Sequence, residues 1–220
     1  MVAIVSVPIF LIALSIETLL FDAAFYASGQ RQHAIGRTTE FNEAQLAPIN
    51  GAIVAFFGSN ESLIASLGAA GAPVDVFNER EIGHMNDVRE IVRRVSQAKW
   101  LSLVTLGLIF FARVFFRRRD GLVWIGRLEA IGAGLTIGLI AAFGLLAAVD
   151  FESLFLRFHL LSFDNDMWLL DPRTDNLIRI FPFGFWFESA VTVAVRAVLF
   201  ALVVGIGGFA VSRARIGAAR

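Results

Sequence analysis

Four long apolar stretches constrain this chain more than any other feature of its sequence. They cover about residues 2–21, 100–116, 122–149 and 183–211, and few charged residues interrupt them. A helix needs about 20 apolar residues to cross the hydrocarbon core of a bilayer. The pattern predicts an all-α integral membrane protein, with four transmembrane helices in one membrane domain that spans residues 1–220.

Composition supports this class and excludes several others. Hydrophobic residues make up 57% of the chain and charged residues 17%, against roughly 45–50% and about 25% in soluble domains. The formal net charge is zero, so no global field would attract a nucleic acid, and we predict no such partner. Cysteine is absent, which excludes disulfides, thiolate metal sites and a cysteine nucleophile.

The distribution of arginines predicts the orientation of the chain. No Lys or Arg precedes the first apolar stretch and no A-x-A site follows it, so we interpret it as a retained helix and not as a signal peptide. Arginine is enriched in cytoplasmic loops and tails. It clusters at residues 117–119 and again at Arg213, Arg215 and Arg220, which predicts cytoplasmic termini, although Arg93, Arg94 and Lys99 flank the opposite end of the second stretch. Two extracytoplasmic helical segments, about 22–99 and 150–187, would then form a cap.

The first extracytoplasmic segment contains two predicted short helices, at about residues 42–57 and 82–95. At 100° per residue, the second helix carries an apolar stripe made of Met85, Val88, Ile91, Val92 and Val95. His84 and Glu81 fall inside this stripe, and Asp87 lies at its margin. An imidazole or a carboxylate on a buried face needs polar partners, so these three residues are candidate site residues.

The second extracytoplasmic segment is dense in aromatic residues, which suits the bilayer–water boundary. His159 lies among them, and the polar run Asp164–Asp166 and Trp168 follow. Asp171 and Pro172 predict a turn, and residues 173–180 a further short helix. The third histidine, His33, lies among polar residues and is predicted to be solvated.

Two histidines in apolar surroundings permit proton transfer near neutral pH, and the sequence leaves open which would be base and which acid. Each is equally well explained as a core histidine bonded to a carboxylate or carbonyl. A zinc site using both and an acidic residue would make the protein a membrane zinc hydrolase, although no HExxH spacing is present. A third alternative is a non-enzymatic transport or partner subunit that uses Arg196 and the glycine-rich helices.

Two sequence runs resemble one known family. Residues 79–88 (EREIGHMNDV) and 158–182 (FHLLSFDNDMWLLDPRTDNLIRIFP) are similar to those of the lipoprotein intramolecular transacylase family. This is a group of small bacterial four-helix integral membrane proteins. Chain length, topology and loop placement agree with the family as well.

The resemblance implies an enzyme of the bacterial cytoplasmic membrane, with its active site on the extracytoplasmic side. Its substrate would be a diacylated lipoprotein, and it would move the sn-2 acyl chain from the glycerol oxygen to the α-amine of the N-terminal cysteine. The catalytic histidines would correspond to His84 and His159. No cofactor or metal would be required, and the partners would be the lipoprotein and membrane lipids. Candidates for orienting the imidazoles or binding the substrate are Glu81, Asp87, Asn165, Asp166 and Trp168.

Overall fold

The computed structural model describes residues 1–214, apart from the side chains of residues 118, 119 and 214. Arg215 and Arg220, which contribute to the predicted orientation, lie outside the described residues. Every regular element in this range is a helix, which confirms the all-α class. The helices are α1 (Val2–Leu20), α2 (Ala23–Gln32), α3 (Ile35–Thr38), α4 (Glu43–Gly58), α5 (Leu63–Ala70), α6 (Glu79–Ser162), α7 (Asn176–Ile180) and α8 (Phe183–Ala214).

Helix α6 contains a reversal of chain direction, although its helical assignment is continuous over 84 residues. A Cβ atom added at Gly121 would overlap the main-chain carbonyl of Arg113, and the Arg113 guanidinium lies 4.1 Å from the centroid of the Trp124 ring. In a straight helix, residues 113 and 121 would be separated by about 12 Å along the axis. The chain therefore folds back on itself there, and α6 comprises two apolar helices, Glu79–Arg117 and Asp120–Ser162.

Four helices are long and apolar enough to cross a membrane: Val2–Leu20, Glu79–Arg117, Asp120–Ser162 and Phe183–Arg213. The four predicted spans are thus confirmed as helices. Two are much longer than a bilayer needs, since 39 residues extend about 58 Å and the hydrocarbon core is about 30 Å thick. Their apolar parts are residues 95–116 and 130–149, whereas residues 79–94 and 150–162 carry many charges. His84, Glu81 and His159 lie outside these apolar parts.

The chain packs as two compact units. The membrane unit comprises Met1–Ile16, Arg94–Val149 and the chain from Thr192 onward. Its core is small, and three glycines allow helices to approach closely: Gly132 faces Val7, Gly205 faces Ala133, and Gly208 faces the backbone of Gly126. At Gly134, Gly138 and Gly207, by contrast, an added Cβ atom would meet nothing within 4 Å.

The second unit comprises Glu17–Arg93 and Asp150–Val191, and we call it the histidine unit because it holds all three histidines. Its core is rich in aromatic and branched side chains, including Phe56, Ile49 and Phe185. The predicted helix at 42–57 is α4, and that at 82–95 is the start of α6. The helix expected at 173–180 is shorter, because α7 begins only at Asn176.

Capping side chains define where two of these helices begin. The Asn78 side chain accepts a hydrogen bond from the Glu81 amide, and Glu81 accepts one from the Asn78 amide, which is a capping box at the start of α6. Asn42 and Gln45 form the same arrangement at the start of α4. The first cap fixes the turn from which His84 projects.

Candidate active site

The two apolar-face histidines lie side by side in the histidine unit. His84 follows the first turn of α6, and His159 lies in its last turn. Because the chain reverses direction within α6, the C-terminal end of this helix lies next to its N-terminal end. Their ring centroids are 5.9 Å apart with an interplanar angle of 32°, and each residue is 8% exposed. The two imidazoles are therefore neighbours, while a catalytic role for either residue stays a prediction.

Aromatic rings surround both imidazoles. The Phe163 ring lies 5.0 Å from His84 and 5.6 Å from His159, centroid to centroid. The rings of Phe155 and Trp168 lie 4.4 and 5.1 Å from that of His159. A charged imidazole is poorly solvated in such an environment, so burial lowers the pKa of His159, and the hydrogen bond to Phe155 only partly opposes this effect.

One hydrogen bond determines the tautomer of His159. Its Nδ1 atom lies 2.7 Å from the carbonyl oxygen of Phe155, one helical turn earlier. A carbonyl oxygen can only accept a hydrogen bond, so Nδ1 must carry a proton and donate it. In the neutral ring Nε2 then holds the lone pair, which makes Nε2 the atom able to accept a proton.

His84 has a different environment. Its Nδ1 atom is buried and makes no hydrogen bond to any residue between 1 and 214. The pKa of His84 is lowered to about 4, mainly by burial and to a smaller extent by the nearby His159, whereas Asp87 opposes both effects. His84 is therefore neutral at pH 7, and its ring can act there as a hydrogen-bond donor but not as a source of positive charge.

Glu81 is buried near His84, but its carboxylate accepts hydrogen bonds from backbone amides. It is 1% exposed, and its two carboxylate oxygens accept hydrogen bonds from the Asn78 and Leu177 amides. Burial raises the pKa of this carboxyl, and these hydrogen bonds oppose the effect. Through these two hydrogen bonds Glu81 joins the start of α6 to α7, and a role in orienting an imidazole stays a prediction.

The polar residues after His159 contribute unequally. The Asn165 side chain donates to the Asp87 carboxylate at 2.9 Å, so these two predicted residues do come together beside His84. Asp166 is exposed, and its main-chain carbonyl, not its carboxylate, accepts from the Arg80 guanidinium. Trp168 is half-buried and packs against His159, so of the predicted supporting residues it lies nearest that ring.

Three residues of the site were not among the predicted ones. Phe155 supplies the carbonyl that fixes the tautomer of His159, and its position four residues earlier on the same helix was readable from the sequence. Phe163 contacts both imidazoles. Arg80 donates to the carbonyls of Asp166 and Leu169 at 3.2 and 2.9 Å, and so anchors the loop that carries Trp168; no sequence pattern indicated this contact.

The prediction that His33 is solvated is wrong. Its Nε2 atom lies 3.1 Å from the Glu188 carboxylate, and its side chain is only 24% exposed. Its ring packs on Gly184, where a Cβ atom would lie 2.5 Å from Cε1 of the imidazole. His33 thus joins α2 to the start of α8, which is a structural contact between segments far apart in the sequence.

A zinc site would need three or more suitable ligands. Among residues 1–214 no three His, Asp or Glu side chains are grouped so that they could hold a metal ion. Two acidic residues lie three positions from His84 along α6: Asp87 already accepts from Asn165, and Glu81 accepts from two backbone amides. The donor set therefore does not support the zinc hydrolase alternative.

Comparisons with known proteins agree on one family. The family model for "Lipoprotein intramolecular transacylase Lit" matches residues 1–186. An uncharacterized protein of Aquifex aeolicus (strain VF5) is 33% identical over 129 residues, which is 58% of this chain and 54% of that protein. The match thus spans only about half the length of that relative.

Solved structures share the fold. The in meso structure of the membrane-integral lipoprotein intramolecular transacylase Lit from Bacillus cereus has a TM-score of 0.80 at 18% identity, over 98% of this chain and 95% of that one. A structure of the same protein with a histidine-to-arginine substitution has a TM-score of 0.78 at 16% identity, over 99% and 92% of the two chains.

Proposed function

This chain belongs to the lipoprotein intramolecular transacylase family, and we propose that it moves an acyl chain within a diacylated lipoprotein. The acyl donor is the sn-2 ester of the diacylglyceryl group on the N-terminal cysteine, and the acceptor is the α-amine of that cysteine. One observation carries the residue assignment. Two neutral imidazoles lie 5.9 Å apart among aromatic rings, and one of them has its lone pair fixed on Nε2.

His159 acts as the base in this proposal. The cysteine ammonium first releases one proton to solvent. The neutral nitrogen then attacks the sn-2 carbonyl carbon and forms an N–C bond, and Nε2 of His159 takes the second proton that the nitrogen loses. The tetrahedral intermediate then collapses: the ester C–O bond breaks, and the same proton passes from His159 to the departing glycerol oxygen. One proton therefore moves from nitrogen to oxygen and nothing is consumed. The donated hydrogen bond to Phe155 stabilises the imidazolium that exists in between.

His84 has the complementary role. Its low pKa, about 4, keeps it neutral, so it serves as a hydrogen-bond donor to the oxyanion that develops on the carbonyl oxygen. Asp87, with Asn165 bonded to it, provides negative charge near the cysteine ammonium before attack.

Catalysis in this scheme depends mainly on positioning. Donor and acceptor are tethered in one molecule, so the enzyme must fold the lipid until the nitrogen reaches the carbonyl. Phe155, Phe163 and Trp168 form an apolar surface suited to acyl chains and exclude water that would otherwise hydrolyse the ester. Conversion of an ester to an amide is downhill, which removes any need for ATP or an acyl carrier.

The distribution of arginines indicates the side of the membrane on which the reaction takes place. We place the protein in the bacterial cytoplasmic membrane, with both termini in the cytoplasm and the histidines on the extracytoplasmic side. The arginines at residues 117–119 and near the C-terminus support this orientation. Diacylated lipoproteins lie at the same surface, which brings the substrate to the histidine unit.

The decisive experiment uses a synthetic diacylglyceryl-cysteine peptide with an isotopic label in its sn-2 chain. The full chain in vesicles should move the label to the cysteine amine, and fragmentation mass spectrometry would locate it. A mixture of labelled and unlabelled peptides of different length should give no crossed product. Label released as free fatty acid would instead indicate a hydrolase, and crossed product would exclude intramolecular transfer.

A matched set of histidine variants tests the site. H84A and H159A should each lose transfer while still inserting in the membrane, and H33A should retain most of it because His33 makes a structural contact only. Equal loss in all three variants would contradict the assignment and indicate a general effect on folding.

A further inference from the structure

The histidine unit holds a second cavity that the acyl transfer does not use. It has a volume of about 600 Å³ and lies between α2, the turn that leads into α3, and the first half of α4. Its polar lining consists of Gln30, Arg31, Arg37, Asn42, Glu43 and Asn50. None of the residues around His84 and His159 lines it, so it is a separate site.

A buried pair of amides lines this cavity. Gln30 is 3% and Asn50 1% exposed, and each side chain donates to the other, at 2.9 and 2.7 Å. A primary amide has two N–H groups, and this pairing uses one on each side. Each amide retains one N–H that is bonded to no other residue between 1 and 214. A ligand with accepting oxygen atoms would satisfy both.

Charges of both signs complete the lining. Arg31 and Arg37 are exposed to the cavity, and neither guanidinium has a hydrogen bond or ion pair to any residue in the described range. Glu43 contributes one carboxylate in the first turn of α4. Two guanidiniums and one carboxylate favour a ligand with an anionic group and, a short distance away, a cationic one.

The backbone between the two arginines is held in an unusual conformation. Ala34 has φ 53° and ψ 36°, the left-handed region that residues with a Cβ atom rarely adopt. It is the only non-glycine residue with a positive φ among residues 1–214. Ala34 connects α2 to α3, and it lines the cavity together with Arg31 before it and Arg37 after it. Strained residues of this kind concentrate at ligand sites.

We propose that this cavity binds the headgroup of a phospholipid that carries a primary ammonium, such as a phosphoethanolamine lipid. The phosphate accepts hydrogen bonds from Arg31, Arg37 and the free amide N–H groups, and Glu43 accepts from the ammonium. This role is separate from the proposed acyl transfer, because the lipoprotein substrate carries no phosphate on its glycerol.

The adjoining surface of α4 accommodates the rest of a lipid. Ala47 lines the cavity, and Gly51 and Ala55 follow on the same face at intervals of four residues, all three exposed. A Cβ atom added at Gly51 would meet nothing within 4 Å. The face of α4 that adjoins the cavity therefore carries small, uncharged and exposed residues, which leaves room for the glycerol and the acyl chains.

Titration of the purified full chain in detergent with short-chain phosphatidylethanolamine tests the proposal. The double variant R31Q/R37Q should weaken binding at least tenfold. E43Q should weaken binding of phosphatidylethanolamine but not of phosphatidylglycerol, which has no ammonium. The matched control is R173Q, because Arg173 is an exposed arginine whose only side-chain partner among residues 1–214 is its neighbour Asp171. The affinity of R173Q for the lipid should equal that of the unsubstituted chain.

A second variant separates a lipid from a free headgroup. G51Q fills the open face of α4 beyond the cavity, so it should weaken binding of the lipid while leaving that of free phosphoethanolamine unchanged. Equal affinity of the unsubstituted chain and R31Q/R37Q would overturn the proposal. So would binding of inorganic phosphate or of a lipoprotein peptide in the cavity without measurable binding of the phospholipid. Unchanged thermal unfolding of the variants would show that the effects are local.

Discussion

The two units of this protein differ in how far apart in sequence their polar partners lie. In the membrane unit, Ser6 donates to the carbonyl of Val2 and Thr136 to that of Gly132, each one turn earlier on its own helix. The histidine unit has such local bonds too, but it also joins polar groups across long stretches of sequence, as in Asn78 with Asp175 and Glu81 with Leu177. Most of the exposed large apolar side chains belong to the membrane unit, where Phe115 and Val149 are 78% and 88% exposed, although Leu161 of the histidine unit is 88% exposed as well.

The physical cause of this difference is the solvent of each unit. The hydrocarbon core of a bilayer offers no hydrogen-bond partners, so a polar side chain in a spanning helix must be satisfied within the protein. The nearest acceptor is the backbone carbonyl one turn earlier on the same helix. Exposed phenylalanine and valine cost nothing there. A site that moves protons needs several polar groups from different segments, and only the histidine unit assembles them. The chemistry and the long-range polar contacts therefore occupy the same part of the chain.

The largest expected effect is the loss of acyl transfer when either His159 or His84 is replaced. H159A should lower the transfer rate by about 10²–10⁴-fold, the usual contribution of a general base. H84A removes a donor to the oxyanion and should cost about 10²–10³-fold. The control in the membrane unit is R127Q, since Arg127 is exposed and distant in sequence from both histidines. Initial rates of label transfer measure all three. A loss in R127Q as large as in H159A would remove the functional contrast between the units.

The next effect concerns the long-range contacts of Glu81. E81A leaves the amides of Asn78 and Leu177 without their buried acceptor, and each such loss costs about 1–3 kcal/mol. We expect a lower thermal unfolding midpoint and faster hydrogen exchange at these two amides. E81Q keeps one carbonyl oxygen and should be affected less. Unchanged exchange in E81A would mean that this contact contributes little to the histidine unit.

A glycine pair tests packing in the membrane unit. At Gly132 a Cβ atom would overlap the Val7 side chain, whereas at Gly134 it would meet nothing within 4 Å. G132A should therefore lose about 1–3 kcal/mol of stability through overpacking, and G134A should be neutral or gain up to about 1 kcal/mol. Thermal unfolding in detergent compares them. Equal midpoints would contradict close helix approach as a source of stability.

A further expected effect is a dependence of stability on pH. The pKa of His84 is lowered to about 4 in the folded protein, whereas an unfolded histidine titrates near about 6.5. Between these values the unfolded chain binds a proton that the folded chain does not, so stability falls as pH decreases through this window and is constant above it. Unfolding midpoints from pH 7 to 4 should show this slope, and H84F should reduce it. An identical slope in H84F would assign it to other groups.

Local patterns account for what the sequence predicted correctly. Hydropathy over about 20 residues identifies a span, and the 3.6-residue period put His84, Glu81 and Met85 on a buried face, as observed. The Asn78–Glu81 capping box and the pairing of His159 with Phe155 are equally local. Both were readable in principle, from an N-x-x-E pattern and from a spacing of four, and both were missed.

The amino-acid sequence by itself determined the helical class, the four apolar helices and the burial of two histidines, because each depends on neighbours within a few turns of one helix. Tertiary structure decided which partners meet. It placed His84 beside His159, gave Glu81 the amide of Leu177 and gave His33 the carboxylate of Glu188. These pairs join residues far apart in the sequence and depend on the reversal of the chain within α6 and on the placement of α7 and α8. No local period or helix propensity encodes contacts of this kind.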